Sequence, residues 1–105
     1  MVDPTLAEQA AEMLRTTALD MEEIYADAER SEFNLKACEA ELEKEYHTNG
    51  IPVSLCKAYA RADEKWAKQA EFRAQAYGAL RGLESRRDAA KILIGLYQSQ
   101  VKDRM

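Results

Sequence analysis

One stretch of the sequence, Asn49-Gly50-Ile51-Pro52, must break a helix, and little else among the 105 residues opposes helix formation. Asparagine and glycine tolerate a positive φ, and proline cannot continue a helix that began before it. The only other proline, Pro4, follows Asp3 and suits the first turn of a helix. We therefore predict a single domain of residues 1–105. Its elements are helix 1 over about 4–46, a turn over 47–53 and helix 2 over about 54–103.

An apolar heptad repeat runs through both predicted helices. Small or apolar residues alternate at spacings of three and four, which is the pattern of a coiled-coil seam, and the seam of helix 2 is interrupted by Gln69, Arg73 and Arg87. The positions in helix 1 are Ala7, Ala10, Leu14, Thr17, Met21, Ile24, Ala28, Ser31, Leu35, Cys38 and Leu42. The positions in helix 2 are Tyr59, Ala62, Trp66, Gln69, Arg73, Ala76, Leu80, Leu83, Arg87, Ala90, Ile94, Tyr97 and Val101. The repeat predicts an all-α fold, an elongated antiparallel helical hairpin with coiled-coil-like packing.

Three glycines in helix 2 leave an alternative open. A break at Gly78, Gly82 or Gly95 would fold the last segment back as a third helix. Because an isolated glycine costs only about 1 kcal/mol in a helix, the unbroken hairpin is favoured.

The apolar arc of both predicted helices widens at the end of the hairpin away from the turn. Two helices bury only one stripe each, and a chain this short is marginal when it buries so little. We therefore predict a homo-oligomer, with a dimer favoured, whose joined ends complete a helical bundle. The predicted interface residues are Leu6, Met13, Leu14, Ile92, Leu93, Leu96 and Tyr97.

The net charge of −4 is a cancellation between two unlike halves. Residues 1–50 carry thirteen acidic and four basic side chains, whereas residues 51–105 carry six acidic and eleven basic ones. The acids of helix 1 have two interpretations, a nucleic-acid mimic or a solvated face that pairs with bases of helix 2 near the turn, and we favour the second. The predicted partner surface comprises Asp20, Glu22, Glu23, Asp27, Glu29 and Phe33. The bases expected opposite the acids are Lys57, Arg61, Lys65, Lys68 and Arg73.

A basic group in the distal portion of helix 2 leaves direct nucleic-acid binding as a weaker alternative. Its members are Arg81, Arg86, Arg87, Lys91, Lys102 and Arg104. Such binding would require that neither helix 1 nor a partner chain neutralises them.

No catalytic, cofactor or metal site is predicted. His47 is the only histidine, and Glu43 lies one helical turn before it, but a metal site needs three or four ligands and the sequence has neither a His-x-x-x-His nor a Glu-x-x-His pair. Cys38 and Cys56 would be offset by about 9 Å in the hairpin, which exceeds the reach of a disulfide, so both are expected to be small packing residues in a reducing cytoplasm. No run approaches the roughly 18 apolar residues of a membrane span. We expect a cytoplasmic, non-enzymatic protein without membrane contact, in the host cytoplasm if it is phage-encoded.

Three stretches of helix 2 resemble the second helix of small proteins encoded by tailed phages and prophages. The stretches are residues 60–66 (ARADEKW), 74–80 (AQAYGAL) and 83–88 (LESRRD). Those proteins are similar in length, have a mid-chain turn and are often encoded near recombination or single-strand annealing genes. The resemblance implies a phage accessory factor and transfers no functional residue.

The sequence thus leaves three hypotheses for function. The first is a helical protein–protein interaction module, such as a phage accessory factor that docks on a nucleic-acid-processing protein. The second is an inhibitor of a host nuclease or defence complex that uses acidic helix 1 as a nucleic-acid mimic. The third is a small DNA-binding protein that uses basic helix 2.

Overall fold

The computed structural model describes residues 1–104 and is all-helical over that range. Its helices are α1 (Pro4–Thr16), α2 (Ala18–Thr48), α3 (Val53–Ala62) and α4 (Glu64–Asp103). The expectation of an all-α fold is therefore confirmed. The two long predicted helices, however, are each divided into two.

Helix α1 begins with the signals that the sequence carries. Asp3 is the N-cap, and its carboxylate accepts a hydrogen bond from the Thr5 N–H at 2.8 Å. Pro4 occupies the first turn, where its missing N–H would have no partner in the helix.

The turn is built on Gly50, the one residue among those described with a positive φ, at 97°. The Gly50 N–H donates to the His47 carbonyl at 3.1 Å, and the Ile51 N–H donates to the Tyr46 carbonyl at 3.0 Å. This pair of bonds is the Schellman motif, in which a glycine just beyond the helix satisfies carbonyls of its last turn. Helix α2 consequently extends to Thr48, two residues past the predicted end.

Helix 1 was predicted to be continuous over about 4–46, and the structure interrupts it at Thr17. Thr17 has φ −97° and ψ 2°, and its hydroxyl donates to the Met13 carbonyl at 2.6 Å. A threonine hydroxyl that bonds back to the preceding turn competes with the backbone ladder, which explains the interruption.

Helix 2 was predicted to be continuous over about 54–103, and the structure divides it at Asp63. This residue has an extended backbone, with φ −76° and ψ 140°, and it separates α3 from α4. Its carboxylate accepts the Lys65 N–H at 2.8 Å, as an N-cap does, so α4 starts afresh. Helix α4 then runs without a break through Gly78, Gly82 and Gly95, so the alternative of a third helix formed at a glycine is wrong.

The predicted seam matches the observed burial except at Val101, which is exposed near the end of α4, and at two positions of α3. Every seam position of helix 1 and every one from Trp66 to Tyr97 is buried or half-buried. Tyr59 and Ala62, which the continuous repeat placed in the seam, are exposed, and the buried residues of α3 are instead Cys56 and Ala60. The break at Asp63 causes this difference, because it shifts the phase of the repeat between α3 and α4.

The chain divides into two compact units. Unit 1 consists of residues 1–24, here called the amino-terminal arm, and residues 79–105, of which 79–104 are here called the carboxyl-terminal arm. Unit 2 consists of residues 25–78 and contains the turn.

The described core is narrow in both units. It contains nine buried apolar residues, and none of the larger side chains is completely buried. Five of the nine are alanines, which allow helix axes to approach closely but withdraw little apolar surface from water. The members are Ala7, Ala10, Ala28, Leu42, Cys56, Ala60, Leu80, Leu83 and Ala90.

Candidate functional site

Unit 1 carries a groove between its two arms, with a volume of about 720 Å³. Its lining is mainly apolar. The apolar members are Leu6, Ala10, Met13, Ile24, Leu83, Ala89, Ala90 and Leu93, and the polar members are Gln9, Thr17, Asp20, Glu23 and Arg86. A concave, mostly apolar surface with a few polar groups is the usual form of a binding site.

The two arms are antiparallel, and polar contacts fix their register. Val2 exchanges two hydrogen bonds with the Gln100 side chain, at 2.7 and 3.2 Å. The guanidinium of half-buried Arg87 donates to the Leu14 carbonyl at 2.8 Å and to the Thr17 hydroxyl at 2.6 Å. The Thr17 break therefore provides an acceptor for the arginine of the opposite arm. These bonds hold the walls of the groove in a defined position.

The predicted interface residues fall into three groups. Leu6, Met13 and Leu93 line the groove, and Leu6 remains 49% exposed. Ile92 and Leu96 lie outside it and are 63% and 53% exposed. Leu14 and Tyr97 are half-buried and do not line it.

Sequence reasoning placed Ile24, Leu83 and Ala90 in the seam and did not recognise them as part of a surface site. Residues at the edge of a seam contribute both to the packing between the helices and to the accessible surface. Only the distance between the two helices decides how much of each side chain stays accessible. Arg86 was noted only as part of the basic group in helix 2.

Three charged residues line the half of the groove that is nearer to the middle of the chain. Asp20 and Glu23 come from the amino-terminal arm and Arg86 from the carboxyl-terminal arm. None of the three forms an ion pair within residues 1–104. The guanidinium Nε of Arg86 donates only to its own helix, to the Gly82 carbonyl at 3.4 Å.

The predicted acidic partner surface is shared between the two units. Asp20, Glu22 and Glu23 belong to unit 1. Asp27, Glu29 and Phe33 belong to unit 2. All six are exposed, Phe33 by 70%. Asp27 forms a surface ion pair with Arg30 at 3.1 Å.

Unit 2 has a different kind of link between its helices, made by acids of α2 with bases and tyrosines of α3 and α4. Glu32 accepts hydrogen bonds from the Tyr77 hydroxyl at 2.6 Å and from Arg73 at 3.5 Å, and Glu39 forms an ion pair with Arg61. The hydrogen bond from Tyr77 lowers the pKa of Glu32, and the same bond raises the pKa of Tyr77. Two of the bases expected opposite the acids are thus paired with them.

A second polar group of unit 2 surrounds the α3–α4 break. The Tyr46 hydroxyl donates to Asp63 at 2.8 Å, and the Tyr46 and Tyr59 rings are 5.6 Å apart. The bond from the Lys65 N–H, followed by that from Tyr46, lowers the pKa of Asp63. The hydrogen bond to Asp63 raises the pKa of Tyr46. The capping carboxylate is thus tied to α2 as well as to α4.

The arrangement offers little chemistry beyond binding. Both cysteines are free thiols, and burial raises the pKa of Cys38. Within residues 1–104, no three histidine, cysteine or carboxylate side chains are grouped so that they could hold a metal ion. Of the helices in the described part of the chain, none combines the length and apolar character needed to cross a membrane.

Comparisons with protein-family models, curated proteins and solved structures gave no match for this chain.

Proposed function

We propose that this protein is a non-enzymatic helical interaction module that forms a homodimer through the groove of unit 1. The observation that carries the proposal is the groove itself, an apolar surface between two arms in which Leu6 is exposed, together with the exposed Ile92 and Leu96 outside it on α4. A contiguous apolar surface rimmed by polar residues is typical of a protein–protein interface.

The accessible surface of the chain supports a partner of this kind. The chain exposes 7783 Å², whereas a folded monomer of 11.9 kDa exposes about 6,000 Å². The excess is larger than the roughly 800 Å² that each partner contributes to an interface of standard size. A second copy on the groove would bury leucine and isoleucine side chains that the narrow alanine core leaves accessible.

In this proposal the chain is an elongated antiparallel helical hairpin with coiled-coil-like packing, and the dimer completes a helical bundle at the groove. The antiparallel contacts within each unit support the hairpin. The Arg61–Glu39 and Arg73–Glu32 pairs support the idea that the acidic half pairs with the basic half. Such pairs set register and orientation more than they add stability.

The dimer would act as a docking factor in the cytoplasm, with a nucleic-acid-processing protein as the partner that the resemblance to phage accessory proteins implies. Exposed acids of the partner surface that lack an ion pair within the described residues, among them Glu22 and Glu29, favour a second candidate, an inhibitor that mimics nucleic acid. Neutralising Glu22, Glu23, Asp27 and Glu29 distinguishes the two. A mimic loses its captured nuclease, whereas a docking factor that binds through other residues keeps its partner.

Sedimentation equilibrium of the full chain tests the dimer. We expect a dimer at about 10 µM, and we expect Leu93→Glu to raise its dissociation constant about 100-fold, because two buried leucines are lost per dimer. Leu19→Glu is the matched control, since Leu19 is 78% exposed and does not line the groove. A wild-type monomer at 100 µM, or equal effects of the two substitutions, would refute the proposal.

A further inference from the structure

We propose that the two copies are related by a two-fold axis parallel to the helices, so that each amino-terminal arm packs against the partner's carboxyl-terminal arm. The contact that selects this arrangement joins Asp20 and Glu23 of one copy to the partner's Arg86. The inference rests on the homodimer proposed above and specifies how its two grooves meet.

Two symmetric arrangements bring one groove face to face with another. Closed dimers use a two-fold axis, which applies the same contacts twice. If the axis runs parallel to the helices, each arm lies over the opposite arm of the partner at the same level. If the axis lies across the helices, each arm lies over the same arm of the partner, and opposite ends of the two grooves meet.

The charges of the two arms favour the parallel axis. Residues 1–24 carry six acidic side chains and one basic one, whereas residues 79–105 carry three acidic and six basic ones. An axis across the helices would place two acidic arms together and two basic arms together. The parallel axis places an acidic arm against a basic one at both contacts, and interfaces are arranged so that opposite potentials meet.

The three charged residues that line the groove give the same answer. The Val2–Gln100 and Leu14–Arg87 bonds place Arg86 opposite residues 15–16, so Asp20 lies about 6 Å and Glu23 about 11 Å farther along the arm at 1.5 Å per residue. Helical side chains lean toward the N-terminus of their helix, so under a parallel axis the partner's Arg86 and these two carboxylates lean toward each other across that offset. An axis across the helices would bring the two Arg86 side chains together, because Arg86 lies only two residues from the middle of the groove, and would place Asp20 and Glu23 over the end lined by Leu6.

The test is a charge-reversal mixture of two full-length variants, Arg86→Glu and Asp20→Arg/Glu23→Arg. Each variant alone places like charges together twice per dimer, and we expect each to raise the dissociation constant about tenfold. An equimolar mixture restores opposite charges at both contacts, so we expect the wild-type dissociation constant and predominantly heterodimer by native mass spectrometry. Arg81→Glu and Glu22→Arg are the matched controls, since both residues are exposed and neither lines the groove.

The outcomes separate this inference from the homodimer on which it rests. Recovery in the mixture supports the parallel axis, because a contact within one chain could not be restored by a second chain. A wild-type dimer without recovery overturns the parallel axis and leaves the homodimer intact. A wild-type monomer at 100 µM overturns both.

A distance measurement covers the case in which a reversed charge impairs folding. A spin label is placed on exposed residue 98 through an unnatural amino acid, which avoids the two native cysteines. Residue 98 lies about 15 Å along α4 from the middle of the groove at 1.5 Å per residue. The parallel axis gives label separations below about 25 Å, and an axis across the helices gives separations above about 30 Å. The longer distance would overturn the inference.

Discussion

The two units use the same heptad seam and differ in the residues beside it. In unit 2 the seam residue Arg73 and the neighbouring residues Glu32 and Tyr77 join the helices through polar contacts. In unit 1 the flanking residues include Leu6 and Leu93, and an accessible apolar groove separates the arms. A heptad repeat therefore predicts which residues face the other helix. The residues beside the repeat decide whether the two helices cover each other's apolar surface or leave part of it for another chain.

The largest expected effect comes from removing a core leucine in each unit. Leu42→Ala in unit 2 should lower the free energy of unfolding by about 2–4 kcal/mol, and Leu83→Ala in unit 1 should cost a similar amount, since both are almost fully buried. Leu83 also lines the groove, so its cost should depend on protein concentration, because binding of a second copy stabilises the folded state. Urea unfolding at protein concentrations of about 1 and about 100 µM measures both the loss of stability and its dependence on concentration. A concentration dependence for Leu42→Ala that equals that of Leu83→Ala would remove the distinction between the units.

Two glycine substitutions in unit 2, one in the turn and one within α4, should have smaller effects of opposite sign on stability. Gly50→Ala forces a side chain into a backbone with φ 97° and should cost about 1 kcal/mol. Gly78→Ala should stabilise the protein by up to about 1 kcal/mol, since it lies within α4 and an added Cβ meets open space. Thermal unfolding should show melting temperatures that shift in opposite directions. A shift of the same sign in both would contradict the role assigned to Gly50.

The smallest effect concerns the polar contacts of unit 2 and depends on pH. The lowered pKa of Glu32 means that its contact with Tyr77 contributes stability fully above the ordinary pKa of 4.5, and that this contribution is lost as the pH falls through the lower folded value. The raised pKa of Tyr77 means that its contribution is present below 10.0 and is lost as the pH rises through the higher folded value. Tyr77→Phe should therefore lower the melting temperature near neutral pH, and the difference from wild type should shrink toward both extremes.

Tyr25→Phe is the control for that series, because Tyr25 is 52% exposed and makes no side-chain hydrogen bond within the described residues. An NMR titration of the Glu32 carboxylate should show its pKa rising toward 4.5 in Tyr77→Phe. An unchanged Glu32 titration would show that the hydrogen bond does not perturb the carboxylate.

The sequence predicted the seam well because burial follows helical periodicity wherever the helix is regular. From Trp66 to Tyr97 the repeat identified buried or half-buried positions even where it named Arg73 and Arg87. It erred at Tyr59 and Ala62, because Asp63 ends one helix and caps the next without a glycine or proline to mark the place. An aspartate in any helical sequence can act as an N-cap, and only the contacts of the Asp63 carboxylate show that this one does.

The candidate site was predicted in part, for a related reason. Leu6, Met13 and Leu93 were identified from the width of the apolar arc, and they line the groove. Asp20, Glu23 and Arg86 line the same groove only because of the register between the two antiparallel arms. Single residues such as Arg87 fix that register. Periodicity along one helix contains no information about register against another.

The contacts between antiparallel segments also differ in how much chain lies between their partners. In unit 2 the hydrogen-bonded pairs span from 17 residues, for Tyr46 and Asp63, to 45 residues, for Glu32 and Tyr77. In unit 1 they span at least 70 residues, as for Thr17 and Arg87, and 98 residues separate Val2 from Gln100. Closing a 98-residue loop costs about 1.5 kcal/mol more entropy than closing a 17-residue loop, so folding should begin beside the Gly50 turn and proceed toward the termini. The groove then forms after unit 2, and a nascent chain acquires it only after the second wall, which includes residues 83–93, has been synthesised.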